Sequence, residues 1–183
     1  MYSKREKTFH FTSFKGLYMG SLDICNKKLK FQDLRLRNQP KISEAWWEML
    51  DKCFMSNHLV ESPSGELFFI KWYTLCIRRE DEEWIMMHSV TKRFMVFRQD
   101  EKSKDFYYTD DIRDLCIFLG QSEAFCLSAS MYPGLKPNSI YYIGSGLGSY
   151  NLASGTVRSF DPPRGKPLLV HYPYWLHPTN SIA

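Results

Sequence analysis

Apolar and polar positions alternate in short runs along most of this chain, and turn-forming residues separate the runs. Thr8–Phe11 is short and β-prone, Leu17–Leu22 follows as a second run, and Leu29–Leu36 alternates with imperfect period two; tight polar turns lie between them, so they predict a three-stranded meander. Gln39-Pro40 breaks that unit. Trp46, Trp47, Leu50, Cys53 and Phe54 then recur at helical spacing behind Ser43, a capping residue, and predict one short helix near 44–54, its tryptophans packed against the sheets. Next come His58–Glu61, the turn Ser62-Pro63-Ser64-Gly65 and Glu66–Leu75, a hairpin pattern in which proline fixes φ and glycine supplies the left-handed position. The run Arg78–Glu83 (RREDEE) predicts an exposed loop. Further β-prone runs are Trp84–Val90, Phe94–Arg98, Phe106–Thr109, Leu115–Leu119, Phe125–Ser128, Ser139–Ile143, Tyr150–Ala153 and Thr156–Phe160. In all, about 13 short strands with turns every 8–12 residues suggest a sandwich, barrel or propeller. At about 40–50 residues per blade, a propeller would have about four blades, although no internal repeat is visible.

Composition narrows this picture. Of the 183 residues, 44% are apolar and 16% aromatic, enough apolar surface to offset the conformational entropy of folding. No apolar run is long enough for a transmembrane helix. The start, MYSKREKTFHF, lacks the apolar stretch of a secretory signal and is a poor transit peptide. Five cysteines without a close pair suggest neither a disulfide framework nor a zinc site, and are expected to be buried free thiols. An intracellular location, in cytoplasm or nucleus, is therefore expected, with an organelle left open. The net charge of +4 is uneven, with residues 1–41 holding ten bases against three acids. These bases follow no helix and accompany no nucleic-acid motif, so nucleic acid is not an expected partner.

Candidate chemistry is sparse. Gly144-Ser-Gly146-Leu-Gly148 follows a strand but does not open a helix, and its spacing does not fit a dinucleotide fingerprint; a mobile hairpin loop is expected. His171 and His177 are six residues apart with Pro173 between them, which suits no helical metal motif. No nucleophile elbow is present. Acids cluster at Asp81–Glu83 and at Asp110, Asp111 and Asp114, a pattern more typical of solvated surface than of acid–base chemistry. No catalytic residue, metal or cofactor is expected.

One run is specific. Cys126–Ile143 (CLSASMYPGLKPNSIYYI), with Leu115–Gly120, strongly resembles the core motif of the plant F-box-associated, kink-suppressor-type β-propeller domain family, formerly a domain of unknown function. Phe14–Leu22, His58–Tyr73 and Phe94–Glu101 are similar to its other motifs and stand in the same order. The resemblance covers about residues 8–178, ending in Tyr174-Trp175-Leu176-His177-Pro178. It implies an all-β fold, a propeller-like arc of about four small antiparallel blades over 8–178, between a flexible start (1–7) and a tail (179–183). It also implies a non-catalytic protein-interaction module like the substrate-recognition part of plant ubiquitin ligase receptors. Family members commonly carry an amino-terminal F-box, which residues 1–7 are too short to hold, so binding to the ligase adaptor is not expected. The alternatives are a truncated, non-functional remnant and a propeller that binds a small ligand or catalyses in its channel. Binding loops are expected at Arg78–Glu83, Gln99–Lys104 and Gly144–Ser149. The residues singled out are Arg78, Arg79, Glu80, Asp81, Lys102, Lys104, Gly146 and Leu147.

Overall fold

The structure is a computed structural model that describes residues 1–13, 15–78, 87–160 and 175–178. Among these residues the chain is almost all β, with one α-helix, and its strands form three sheets rather than about four blades. The first sheet runs in chain order from β1 (Tyr2–Ser3) through β2 (Thr8–Thr12) and β3 (Tyr18–Asp23) to β4 (Lys28–Asp33). The residues expected to be a flexible start thus supply its first strand, with Tyr2 opposite Phe9. The expected strand Leu29–Leu36 is divided, because the chain leaves the sheet after Asp33. Leu34 is buried, and Leu36–Arg37 (β5) crosses to a second sheet.

Helix α1 (Glu44–Asp51) stops short of the expected Phe54, which opens β6 (Phe54–Glu61). Ser43 occupies the N-cap position, but its side chain makes no capping bond. Leu50 is buried and Trp47 half-buried in the core. Trp46, expected to pack, is 43% exposed, with the Arg93 guanidinium 5.8 Å from its ring centroid.

The second sheet has the order β5, β9 (Phe106–Thr109), β8 (Met87–Gln99), β7 (Leu67–Arg78), β6. Its long central strands account for the near-continuous apolar run of β7, since both faces are covered. Phe68, Ile70, Trp72, Phe94 and Val96 face one core; Phe69, Tyr73, Met95 and Phe97 face the other, with Met19, Leu34 and Leu50. Each of these phenylalanines, fully buried, stabilises the fold by about 1.5–3 kcal/mol before entropy is counted. The runs Trp84–Val90 and Phe94–Arg98 were expected as separate strands. From Met87 onward they form one strand, with a bulge where Tyr73 and Thr74 face Arg93 and Thr91.

The third sheet has the order β11 (Phe125–Ser128), β10 (Leu115–Leu119), β12 (Ser139–Gly144), β13 (Gly146–Asn151), β14 (Thr156–Ser159). Ile140 and Tyr142 join the core shared with the second sheet, and Tyr141 packs on the other face, as alternation requires. Beyond the antiparallel pairing expected of blades, β10 and β12 pair in parallel, as do β5 and β9.

The connection between β11 and β12 places Gly134 at φ +94°, where an added Cβ would meet nothing within 4 Å. Gly134→Ala would therefore pay only for backbone conformation. We expect it to lower the denaturation midpoint, with a cost above the roughly 1 kcal/mol that alanine gains by restricting the unfolded chain. A raised midpoint in urea unfolding would contradict the turn geometry.

Candidate interaction groove

Residues 2–6 cross from the first sheet onto the other two and build a groove as they go. Glu61, at the end of β6, accepts hydrogen bonds from Ser3 Oγ and the Lys4 amide, both at 2.9 Å. Arg5 donates to Glu101 at 2.8 Å, and the Tyr2 amide donates to Glu123 at 2.9 Å. The Arg5 guanidinium holds the Glu101 carboxyl below the usual carboxylate range, first through this hydrogen bond and then through its charge.

Two clefts flank this crossing and share Arg5, Glu61 and Gly65. One, of about 660 Å³, is polar and includes His10, Glu66, Arg98, Lys102 and Lys104 in its lining. The other, of about 990 Å³, has a more apolar wall that includes Tyr2, Pro63, Phe125, Leu127, Met131 and Leu176. Together they form a groove around the turn that joins β6 to β7.

The acids of the polar half are engaged internally. Glu66 lies 3.7 Å from Arg98 Nε, and Glu6 lies 3.1 Å from His10 Nε2. Asp100 accepts from the Lys102 amide and from the amide and hydroxyl of Ser103, chiefly the Ser103 amide, and its carboxyl is held low. Lys102 and Lys104 form no ion pair within 4 Å among the described residues. Their charges also lower the carboxyls of Asp100 and Glu101, without direct contact.

His10 is buried in the same wall. Its Nδ1 lies 2.8 Å from Ser21 Oγ, so serine, imidazole and the Glu6 carboxylate form a chain. Ser21 does not line the cleft, and the chain braces the wall. Sequence reasoning passed over His10. Its signal was the β2–β3 register, which places Ser21 opposite it.

The other expected loops lie elsewhere. Arg78 ends β7, and Arg79, Glu80 and Asp81 lie outside the described residues. Gly146 and Leu147, expected in a mobile loop, belong to β13, where Gly144 faces Gly146 across a tight turn. Ser145 at that turn is tied down. Trp72 Nε1 donates to Thr91 Oγ1 at 3.0 Å, Thr91 Oγ1 donates to the Ser145 carbonyl at 3.1 Å, and Ser89 Oγ donates to Ser145 Oγ at 2.9 Å. Of the expected residues that are described, Lys102 and Lys104 line the groove.

No group of three or more His, Cys, Asp or Glu suited to a metal is present among the described residues. Cys116 and Cys126 are buried, and burial pushes their thiols up to about 11 and about 12. Cys25 and Cys76, expected to be buried, are exposed. Of His171 and His177, only His177 is described. It is exposed beside Phe125, 5.0 Å between ring centroids. No helix among the described residues is long and apolar enough to cross a membrane.

His58, on β6, is pushed down to about 4 by burial, from an ordinary 6.5. The folded imidazole stays neutral where the unfolded one takes up a proton. Its contribution to stability is therefore complete above pH 6.5. As pH falls from 6.5 towards 4 it is lost, at up to about 1.4 kcal/mol per pH unit. Urea midpoints of the parent and His58→Gln should show a shallower acid-side fall in the variant; parallel curves would refute the assignment.

The fold defines a partial β-propeller, mostly β with its strands in successive packed sheets. The family model described as KIB1-4 beta-propeller matches residues 1–163, and the chain belongs to that family. No curated protein and no solved structure matches the chain.

Proposed function

We propose that this chain is a non-catalytic protein-interaction module whose groove holds an extended segment of a protein partner. The observation that carries the reading is the pairing of the two clefts. A wall with two lysines continues, past the Ser62–Gly65 turn, into an apolar trough. Extended peptides are bound in this way, with apolar anchors seated in pockets and charges at the rim setting specificity. The resemblance to plant F-box-associated domains extends the proposal: the partner is a substrate presented for ubiquitination.

Phage display of random peptides on the purified chain tests the reading. We expect enriched peptides that bind the parent and lose at least about tenfold in affinity, or 1.4 kcal/mol, towards Lys102→Glu/Lys104→Glu. Both positions lie in an exposed turn, so the variant should fold as the parent does. Failure to enrich any peptide, or enriched peptides indifferent to the double substitution, would overturn it.

A further inference from the structure

The first sheet has its polarity reversed relative to burial. Cross-strand register places Tyr2, Phe9, Phe11, Tyr18, Leu29 and Phe31 on one face, and all six are between 41% and 64% exposed. The opposite face carries Ser3, His10 and the core residue Met19, which are buried against the rest of the molecule, with half-buried Ser21 and the exposed Lys28 and Lys30 towards the edge strand β4. Gly20 lies beneath the exposed patch, where a Cβ would collide with the Phe11 ring; Phe11 and Phe31 meet edge to face above it, 6.0 Å between centroids. The aromatic pair is thus packed, but with one side towards solvent.

We infer that this face joins two copies of the chain, sheet against sheet across a two-fold axis. Area supports a second copy as the occupant. Six side chains of about 150–250 Å² each, exposed to this extent, present on the order of 600 Å², the upper end of what monomers leave uncovered. Two such faces supply about 1,200 Å², which reaches the range of specific interfaces. Charge supports it too. The patch carries one charged residue, Asp33, whose carboxylate lies 3.8 Å from Arg35, so two patches can meet without opposing bare like charges. The competing route, edge to edge through β4, would bring Lys28 and Lys30 of both copies together, and lysine on an edge strand disfavours such pairing. An isologous contact also closes on itself, so the assembly stops at two.

Sedimentation velocity on the full chain at about 100 μM, far above a micromolar dissociation constant, tests the inference. The parent should sediment at twice its 21.6 kDa mass. Phe31→Glu should sediment as a monomer with an unchanged circular dichroism spectrum, and Lys30→Glu, on the other face, should remain a dimer. A monomeric parent, larger polydisperse species, a dimer that survives Phe31→Glu, or one lost on Lys30→Glu would overturn it. Should Phe31→Glu fail to fold, hydrogen exchange on the parent decides. The inference requires β2–β4 amides to gain protection with concentration, and unchanged protection refutes it.

Discussion

Phe94→Ala should destabilise the fold by about 3–5 kcal/mol, the range for removing a buried aromatic ring and leaving its cavity. Phe94 is 1% exposed and lies where the second and third sheets meet. Its ring stacks on Trp72 of β7 at 5.4 Å and also meets Tyr142 of β12 at 5.6 Å and Tyr150 of β13 at 5.2 Å. The neighbours belong to two sheets, so no single element can move to close the gap without disturbing the other. Against a total stability of about 5–15 kcal/mol, a loss of this size is a large fraction. Phe94→Leu, which keeps much of the volume, should cost clearly less. Equilibrium urea unfolding with parallel slopes measures both, and an alanine variant within about 1 kcal/mol of the parent would mean the sheets are not joined through this ring.

What was legible in the sequence is local. The alternation of Ile140, Tyr141 and Tyr142 is enough to assign faces to β12, and the pair Pro133-Gly134 is turn chemistry, with Gly134 at a positive φ. Helix α1 was visible because its apolar spacing is local, but its length was not. Cys53 and Phe54 continue the periodicity, while the chain has already turned into the β6 pairing with β7. The long strand β8 was concealed by Thr91, Lys92 and Arg93, polar residues that read as a break. In the structure, Thr91 bonds to Trp72 and Arg93 lies over Trp46, so the strand passes through them. The groove was largely illegible. Ser3, Glu61, Arg98 and Lys102 are brought together by sheet packing, and period and turn chemistry carry no such information. Lys102 and Lys104 were singled out because exposed turns on a rigid scaffold tend to carry function, and they line the polar cleft. Gly146 and Leu147 answered the same rule and lie in a tied-down strand, because glycine marks a tight hairpin as readily as a loose one.

The second large effect falls on Asn138, where a parallel strand pair is locked without a hairpin to help it. Strands β10 and β12 begin side by side, with Cys116 opposite Ser139, although the turn and strand of residues 120–138 separate them in the chain. Asn138 precedes β12 at φ +53°, a left-handed conformation that asparagine tolerates better than most residues. From there its Nδ2 donates to the Asp110 carbonyl at 2.9 Å, and its Oδ1 accepts from the Ile112 amide at 3.0 Å. Its own carbonyl accepts from the Leu152 amide at 3.1 Å, which brings in the end of β13. Asn138→Ala removes both side-chain bonds, leaves the amide of buried Ile112 without its acceptor, and places a Cβ-bearing residue that lacks asparagine's local bonding at positive φ. At about 1 kcal/mol for each of the two bonds and 1–2 for the backbone, the loss should be about 3–4 kcal/mol. Asn138→Gly relieves the backbone but not the bonds, so it should fall between alanine and the parent. Asn138→Asp keeps the acceptor for Ile112, loses the donor, and sets a carboxylate near Asp110 and Asp111, so its deficit should shrink as pH falls through the carboxylate range. Chemical denaturation of the three variants separates these contributions. If glycine proved as costly as alanine, the left-handed conformation would contribute nothing, and the lock would consist of the two hydrogen bonds alone.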